Sequence, residues 1–195
     1  MNPRQNLTES KVLFAVPECA PLTKTGGLGD VAGALPAALR SLGVDMRVLL
    51  PSYGALPGKE LAQVRVLGRK ARILESELPS GVPLYLLDCP ELYIRNGGPY
   101  QTGEGEDWPD NALRFGLLSR VAALLGGADT PLAWRPDVVH CNDWPTALAP
   151  VYLQREPGAA ASLLTVHNLA FQGLFEADAL DGLELPRSEF SVDKL

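Results

Sequence analysis

Lys24-Thr25-Gly26-Gly27-Leu28-Gly29-Asp30-Val31 sets a cation, three glycines and a carboxylate within one short stretch. Glycines let a ligand approach the main chain closely. A helix that opens on them presents N–H groups with no intrahelical acceptor, at the end of the dipole that favours an anion. Lys24 adds a mobile positive charge, so a phosphate or diphosphate is the ligand this chemistry suits. The glycine order is neither G-x-G-x-x-G nor G-x-x-x-x-G-K-[ST], so neither a dinucleotide fingerprint nor a P-loop is met. An ordinary strand-to-helix turn with a solvated lysine carries the same residues and stands as the alternative. Two further groups hold reactive side chains: His140 with Asn142-Asp143-Trp144, and His167-Asn168. Asp143 starts a helix, where it either caps the first turn or faces a ligand, and Trp144 beside it suits the wall of a sugar pocket. His140 lies inside an apolar strand and reads as a hydrogen-bonded core residue. His167 sits just past an apolar strand and reads as a site residue. Two histidines without H-x-x-x-H or a Cys/His cluster give no metal site, and the absence of G-x-S-x-G leaves a serine triad unsupported. No cofactor is called for.

The elements that must position these groups follow from periodicity. Residues 11–17 form an apolar strand of the kind covered on both faces. Leu28, Val31, Leu35, Leu39 and Leu42 then share one helical face, ended by Gly43. Pro36 inside that helix predicts a bend or a break, since an interior proline costs about 3 kcal/mol. Residues 44–51 are the second strand and 52–62 a loop. Residues 64–67 and 72–75 alternate as a hairpin or edge strands, and residues 82–87 are a further buried strand. Residues 90–109, with Tyr93 and Tyr100, form a loop long enough to be functional or mobile. A helix follows from Pro109-Asp110 with Leu113, Leu117, Val121 and Leu124 on one side. Residues 137–141 are a strand, residues 145–154 a helix and residues 162–166 a strand, and nothing convincing follows Phe175. Residues 1–10 read as a flexible lead-in. Alternating strands and helices predict a Rossmann-like, doubly wound, mostly parallel α/β sheet. Ligands of such sheets bind beyond the carboxyl ends of the strands. Those ends carry the glycine stretch, Asp88, Asn142-Asp143-Trp144 and His167-Asn168.

The whole chain narrows the function classes. Its 195 residues suffice for one core, and 46% apolar with 21% charged residues is a globular composition. A net charge of −6 without a dense Lys/Arg run argues against nucleic acid. No apolar stretch reaches membrane-spanning length, and Met1 to Ser10 lacks the apolar middle of a signal peptide. Cys19, Cys89 and Cys141 have no C-x-x-C spacing and cannot all pair, which fits a reduced, cytoplasmic setting.

Lys11 to Pro51, with Glu18, Pro21, Lys24-Thr25-Gly26-Gly27-Leu28 and Asp30-Val31, resembles the N-terminus of bacterial glycogen synthases and plant starch synthases. So do Asp110 to Phe115, Asp137 to His140 with Asn142-Asp143-Trp144, and Thr165 to Gly173. The resemblance runs along essentially the whole chain. It implies a retaining glucosyltransferase that moves glucose from ADP-glucose to the non-reducing end of an α-1,4-glucan such as glycogen or a maltooligosaccharide. It implies the N-terminal half of a GT-B architecture. Residues 11–195 would then be an incomplete N-terminal catalytic domain without the C-terminal nucleotide-binding domain, and inactive alone. By the same resemblance Lys24, Gly26, Gly27 and Asp30 belong to the diphosphate loop. Asp143 and His167 line the glucosyl pocket as catalytic residues, Tyr93 sits in the cleft loop, and Trp144 and Asn168 are substrate-binding. Asn142 and Pro145 depart from the histidines found there in many family members. A non-catalytic glucan- or phosphate-binding module is the alternative, and a dinucleotide-dependent oxidoreductase is disfavoured by the glycine order.

Overall fold

A computed structural model describes residues 10–191. The expected lead-in, apart from Ser10, lies outside the described residues. Seven strands form one sheet in the order β3-β4-β5-β2-β1-β6-β7. They are β1 (Lys11–Ala15), β2 (Asp45–Pro51), β3 (Lys59–Val66), β4 (Arg69–Glu77), β5 (Pro83–Asp88), β6 (Val138–Asn142) and β7 (Ala161–Thr165). β7, β6, β1, β2 and β5 run parallel. The expected hairpin is present: β3, β4 and β5 are antiparallel, with β3 starting inside the stretch read as loop.

Side-chain alternation divides the interior in two. Leu13, Ala15, Leu49, Tyr85 and Leu87 point to one side, under α3 (Asn111–Gly126) and α4 (Leu148–Leu153). Phe14, Val16, Met46, Val48, Leu50, Leu84 and Leu86 point to the other, where Ala32 of α1 (Gly27–Ser41) packs. Strands covered on both faces explain the continuous apolar runs of β1, β2 and β5. α1 is one helix through the buried Pro36, so the expected break is absent. The stripe read on α3 was too narrow. Phe115, Leu118, Ala122 and Leu125 are buried as fully as Leu117 and Val121, because the helix is enclosed rather than laid on the surface. Gly116 and Gly126 leave no room for a Cβ, which would stand 2.1 Å from Leu183 and 2.7 Å from Val139.

Residues 145–154 are not one helix. A 3-10 turn at Trp144–Thr146 precedes α4. The last stretch, read as featureless, holds α5 (Ala179–Gly182) and a 3-10 turn at Arg187–Glu189. Leu180, Leu183 and Leu185 from this stretch are buried, and Tyr152 donates to the Leu183 carbonyl at 2.7 Å. At the far edge, β7 exposes Leu163 and Leu164. No Asp, Glu, Lys or Arg occurs from Pro157 to Phe175.

The segment before α3 is tied down rather than loose. It begins with the short helix α2 (Pro90–Tyr93). Trp108 Nε1 donates to the Gly98 carbonyl at 3.0 Å, Asn111 Nδ2 to the Tyr100 carbonyl at 2.8 Å, and Arg95 pairs with Asp110 at 2.5 Å. Gly97 pairs antiparallel with Thr102 inside this clasp. A Cβ there would lie 2.6 Å from the Gln101 carbonyl oxygen and 2.9 Å from the Trp108 ring. We expect Gly97→Ala to lower stability by about 1–3 kcal/mol, the usual cost of overpacking. Urea unfolding measures it, and a change under about 0.5 kcal/mol would mean that the clasp does not constrain this position.

Candidate functional site

The carboxyl ends of β1, β6 and β7 open into a cleft of about 1110 Å³. Three loops and the clasp wall it. Glu18, Gly26, Gly27 and Leu28 come from the β1–α1 connection. Asp143 and Trp144 follow β6, His167, Asn168 and residues 170–175 follow β7, and Tyr100, Asp107, Trp108 and Asn111 come from the clasp.

Asp143 and His167 are brought together directly. The Asp143 carboxylate accepts the His167 backbone N–H at 2.6 Å, while the Asp143 N–H donates to the Thr165 carbonyl at 2.9 Å. The β6 and β7 tips are thereby stitched to each other. The Asp143 side chain makes no cap on the following turn, so the capping alternative fails. Its backbone stands at φ 55°, ψ −178°, a region open almost only to glycine and costing about 1–3 kcal/mol. Trp144 packs edge-on against Phe115 at 4.8 Å between ring centroids and lies near Tyr100 and Phe175. A Cβ on Gly173 would strike the Trp144 ring at 2.3 Å, so the main chain at Gly173 passes close over that indole. Asn168 turns its Oδ1 to the Ala170 N–H at 2.9 Å.

The glycine loop departs from expectation. The Glu18 carboxylate, almost fully buried, accepts the Thr25 N–H and, at 3.3 Å, the Gly26 N–H. An anion from the chain itself thus holds the Gly26 amide expected to stand open. Gly27 and Leu28, the first residues of α1, do line the cleft, and their N–H groups have no intrahelical acceptor. A Cβ on Gly27 would meet nothing within 4 Å, so space is open there. Lys24 and Asp30 do not line the cleft. They pair with each other at 2.7 Å on the half-exposed outer side of the turn.

Tyr93 is a correction: its ring is buried at 1% exposure. Its hydroxyl donates to the Arg114 carbonyl at 2.6 Å, and it packs edge-on against Tyr53. Burial raises its pKa well above the ordinary tyrosine value. Tyr100, seven residues on, reaches the cleft instead. Asp88 also faces away, paired with Arg72 at 2.6 Å. Residue type alone does not separate Tyr93 from Tyr100, and no local signal in the sequence marks Glu18 as the acceptor for the Thr25 and Gly26 amides.

The remaining candidates are structural. His140 Nε2 meets Thr165 Oγ1 at 2.8 Å and its ring packs edge-on to Phe14; burial, then the neighbouring His167, lowers its pKa. Burial pushes the thiols of Cys19 and Cys141 up to about 12 and that of Cys89 to about 11, which suits inert packing. Among the described residues no group of three or more His, Cys, Asp or Glu side chains could hold a metal, and no helix is long and apolar enough to cross a membrane.

The charges of the cleft point to its chemistry. Its lining includes Glu18, Asp107 and Asp143 but no Lys or Arg. Carboxylates beside aromatic faces suit polyhydroxylated, uncharged ligands and stabilise positive charge that develops on them. A mostly parallel sheet with a polar cleft at its strand tips is the ligand-binding arrangement of a doubly wound α/β domain. The family model described as "Starch synthase catalytic domain" matches residues 11–195, and the chain belongs to that family. It is 58% identical over 194 residues to the glycogen synthase of Aromatoleum aromaticum, covering 95% of this chain and 39% of that protein. It is 47% identical to the glycogen synthase of Nitrosospira multiformis, covering 99% and 41%. The chain thus spans about two-fifths of the length of these curated relatives. The catalytic domain of starch synthase IV from Arabidopsis thaliana, solved bound to ADP and acarbose, superposes with a TM-score of 0.75 at 28% identity, covering 95% of this chain and 39% of that one.

Proposed function

We propose that residues 11–195 form the N-terminal, acceptor-side wall of a cytoplasmic glycogen or starch synthase, a retaining glucosyltransferase moving glucose from ADP-glucose to the non-reducing end of an α-1,4-glucan. One observation carries this reading: Asp143, His167 and Trp144 converge with the start of α1 on a single cleft at the strand tips. Breaking a glycosyl–diphosphate bond needs stabilisation of an oxocarbenium-like centre and of an anionic leaving group. Asp143 and the groups around His167 serve the first by position and charge. The open amides of Gly27 and Leu28 serve the second, with Lys24 turning in from its exposed pair. The other cations for the diphosphate come from the second domain of the GT-B architecture, so the chain alone does not turn over.

The reading is tested by joining this chain to the remaining part of the Aromatoleum aromaticum synthase and assaying glucose transfer from ADP-glucose to glycogen. Transfer by the chimera but not by the 195-residue chain is expected. Tight maltooligosaccharide binding by the chain with no activity in the chimera would favour the binding-module alternative. Within the active chimera, Lys24→Ala is expected to reduce kcat by about 10²-fold, the effect of losing one group that stabilises transition-state charge. Stability should move by less than about 1 kcal/mol, because an exposed pair such as Lys24–Asp30 contributes little. Unchanged turnover would remove Lys24 from the site.

A further inference from the structure

Asn142 ends β6 and has no exposed surface, yet its carboxamide is fully committed. Nδ2 donates to the Ala15 carbonyl at 3.1 Å and to the His140 carbonyl at 3.2 Å. Backbone carbonyls only accept, so these two contacts fix which end of the amide is nitrogen. The oxygen end is turned to His167, whose Nε2 lies 3.0 Å from Asn142 Oδ1. A carboxamide oxygen also only accepts, so Nε2 must carry the proton. The Asn142 main chain is held in turn by Thr146, whose hydroxyl oxygen accepts the Asn142 N–H at 2.6 Å. The His167 backbone is pinned by Asp143. Main chain and ring of His167 are thus held from two separate residues.

We propose that Asn142 is a positioning residue that sets the tautomer of His167. Neutral His167 is held as Nε2–H, and Nδ1 keeps its lone pair. A ring in that state accepts a hydrogen bond at Nδ1 and cannot donate one there. It therefore favours a ligand hydroxyl over a phosphate or carbonyl oxygen at that point. The ligand class rests on the proposed function; the tautomer does not.

Long-range proton–nitrogen NMR of the isotopically labelled 195-residue chain at mildly alkaline pH tests this without any ligand. Loss of one set of signals in His167→Gln assigns the ring. The expected result is an Nε2-protonated His167 whose N–H proton exchanges slowly enough to be seen. In Asn142→Ala that exchange should quicken roughly tenfold, the factor one hydrogen bond supplies, and the Nδ1–H form should gain population. A wild-type ring protonated at Nδ1 overturns the proposal, even if Asn142→Ala fails to fold. So does a folded Asn142→Ala protein with unchanged exchange. Addition of maltoheptaose then tests the other reading separately. A held tautomer that does not respond to the sugar supports the role of Asn142 and counts against the proposed function.

Discussion

Arg114→Met is expected to lower the thermal midpoint of this chain by roughly 10 °C, from a loss of about 3–5 kcal/mol. Arg114 is 1% exposed. Nε donates to the Leu92 carbonyl at 2.9 Å, and Nη1 to the Pro99 carbonyl at 2.8 Å and to Asn111 Oδ1 at 2.7 Å. Burial lowers its pKa, yet an arginine keeps its proton under ordinary conditions, so the rings of Phe115, Tyr93 and Trp108 surround a cation. Methionine fills similar space but leaves those acceptors without a donor, at about 1–3 kcal/mol for each group left unsatisfied. The same bonds tie the clasp to α2 and α3, so the cleft wall carrying Tyr100 and Trp108 loosens as well. Calorimetry on the chain decides it, with Arg187→Met as the control, because Arg187 pairs with Asp178 and Asp181 in the open. Equal midpoints for the two variants would mean that Arg114 does not organise this wall.

Asp143→Gly is expected to separate stability from turnover. Glycine occupies φ 55°, ψ −178° without the strain of about 1–3 kcal/mol that aspartate bears there. The same change removes the carboxylate that accepts the His167 N–H, a charge-assisted bond contributing about 1.5–3 kcal/mol. The two nearly cancel, leaving the glycine variant within about 1 kcal/mol of the parent in urea unfolding. Asp143→Ala keeps the strain and loses the bond, so it falls well below the glycine variant. If Asp143 acts as the proposed function has it, both lose about 10²- to 10³-fold in kcat in the active chimera, the usual effect of removing one preorganised charge. Glycine and alanine variants of equal stability would show that no strain is stored at this position.

Most of the sheet was legible because buried parallel strands announce themselves as unbroken apolar runs, as in Val12 to Val16 and Leu84 to Leu87. The glycine turn and the helix after it were legible for the same local reason. What escaped depends on distant partners. α5 is four residues long and has no helical periodicity to find; it exists because Leu180 and its neighbours enter the core. The enclosure of α3 comes from elements on several sides of it, which no single face records. Within the site, the tips that carry Asp143 and His167 were readable from strand ends. The inward turn of Tyr93 was not, since it depends on Arg114 and Tyr53. Nor was the capture of the Thr25 and Gly26 amides by a carboxylate seven and eight residues upstream.

The acidic lining of the cleft has a consequence for the order of events in transfer. On the proposed function, an uncharged glucan end can settle on this half unopposed. The diphosphate of a nucleotide sugar instead is favoured only at the start of α1 and is repelled by Glu18, Asp107 and Asp143 elsewhere along the wall. On that reading the two substrates are sorted by electrostatics before either touches a specificity contact, the glucan by the acidic wall and the donor by the amides that open α1.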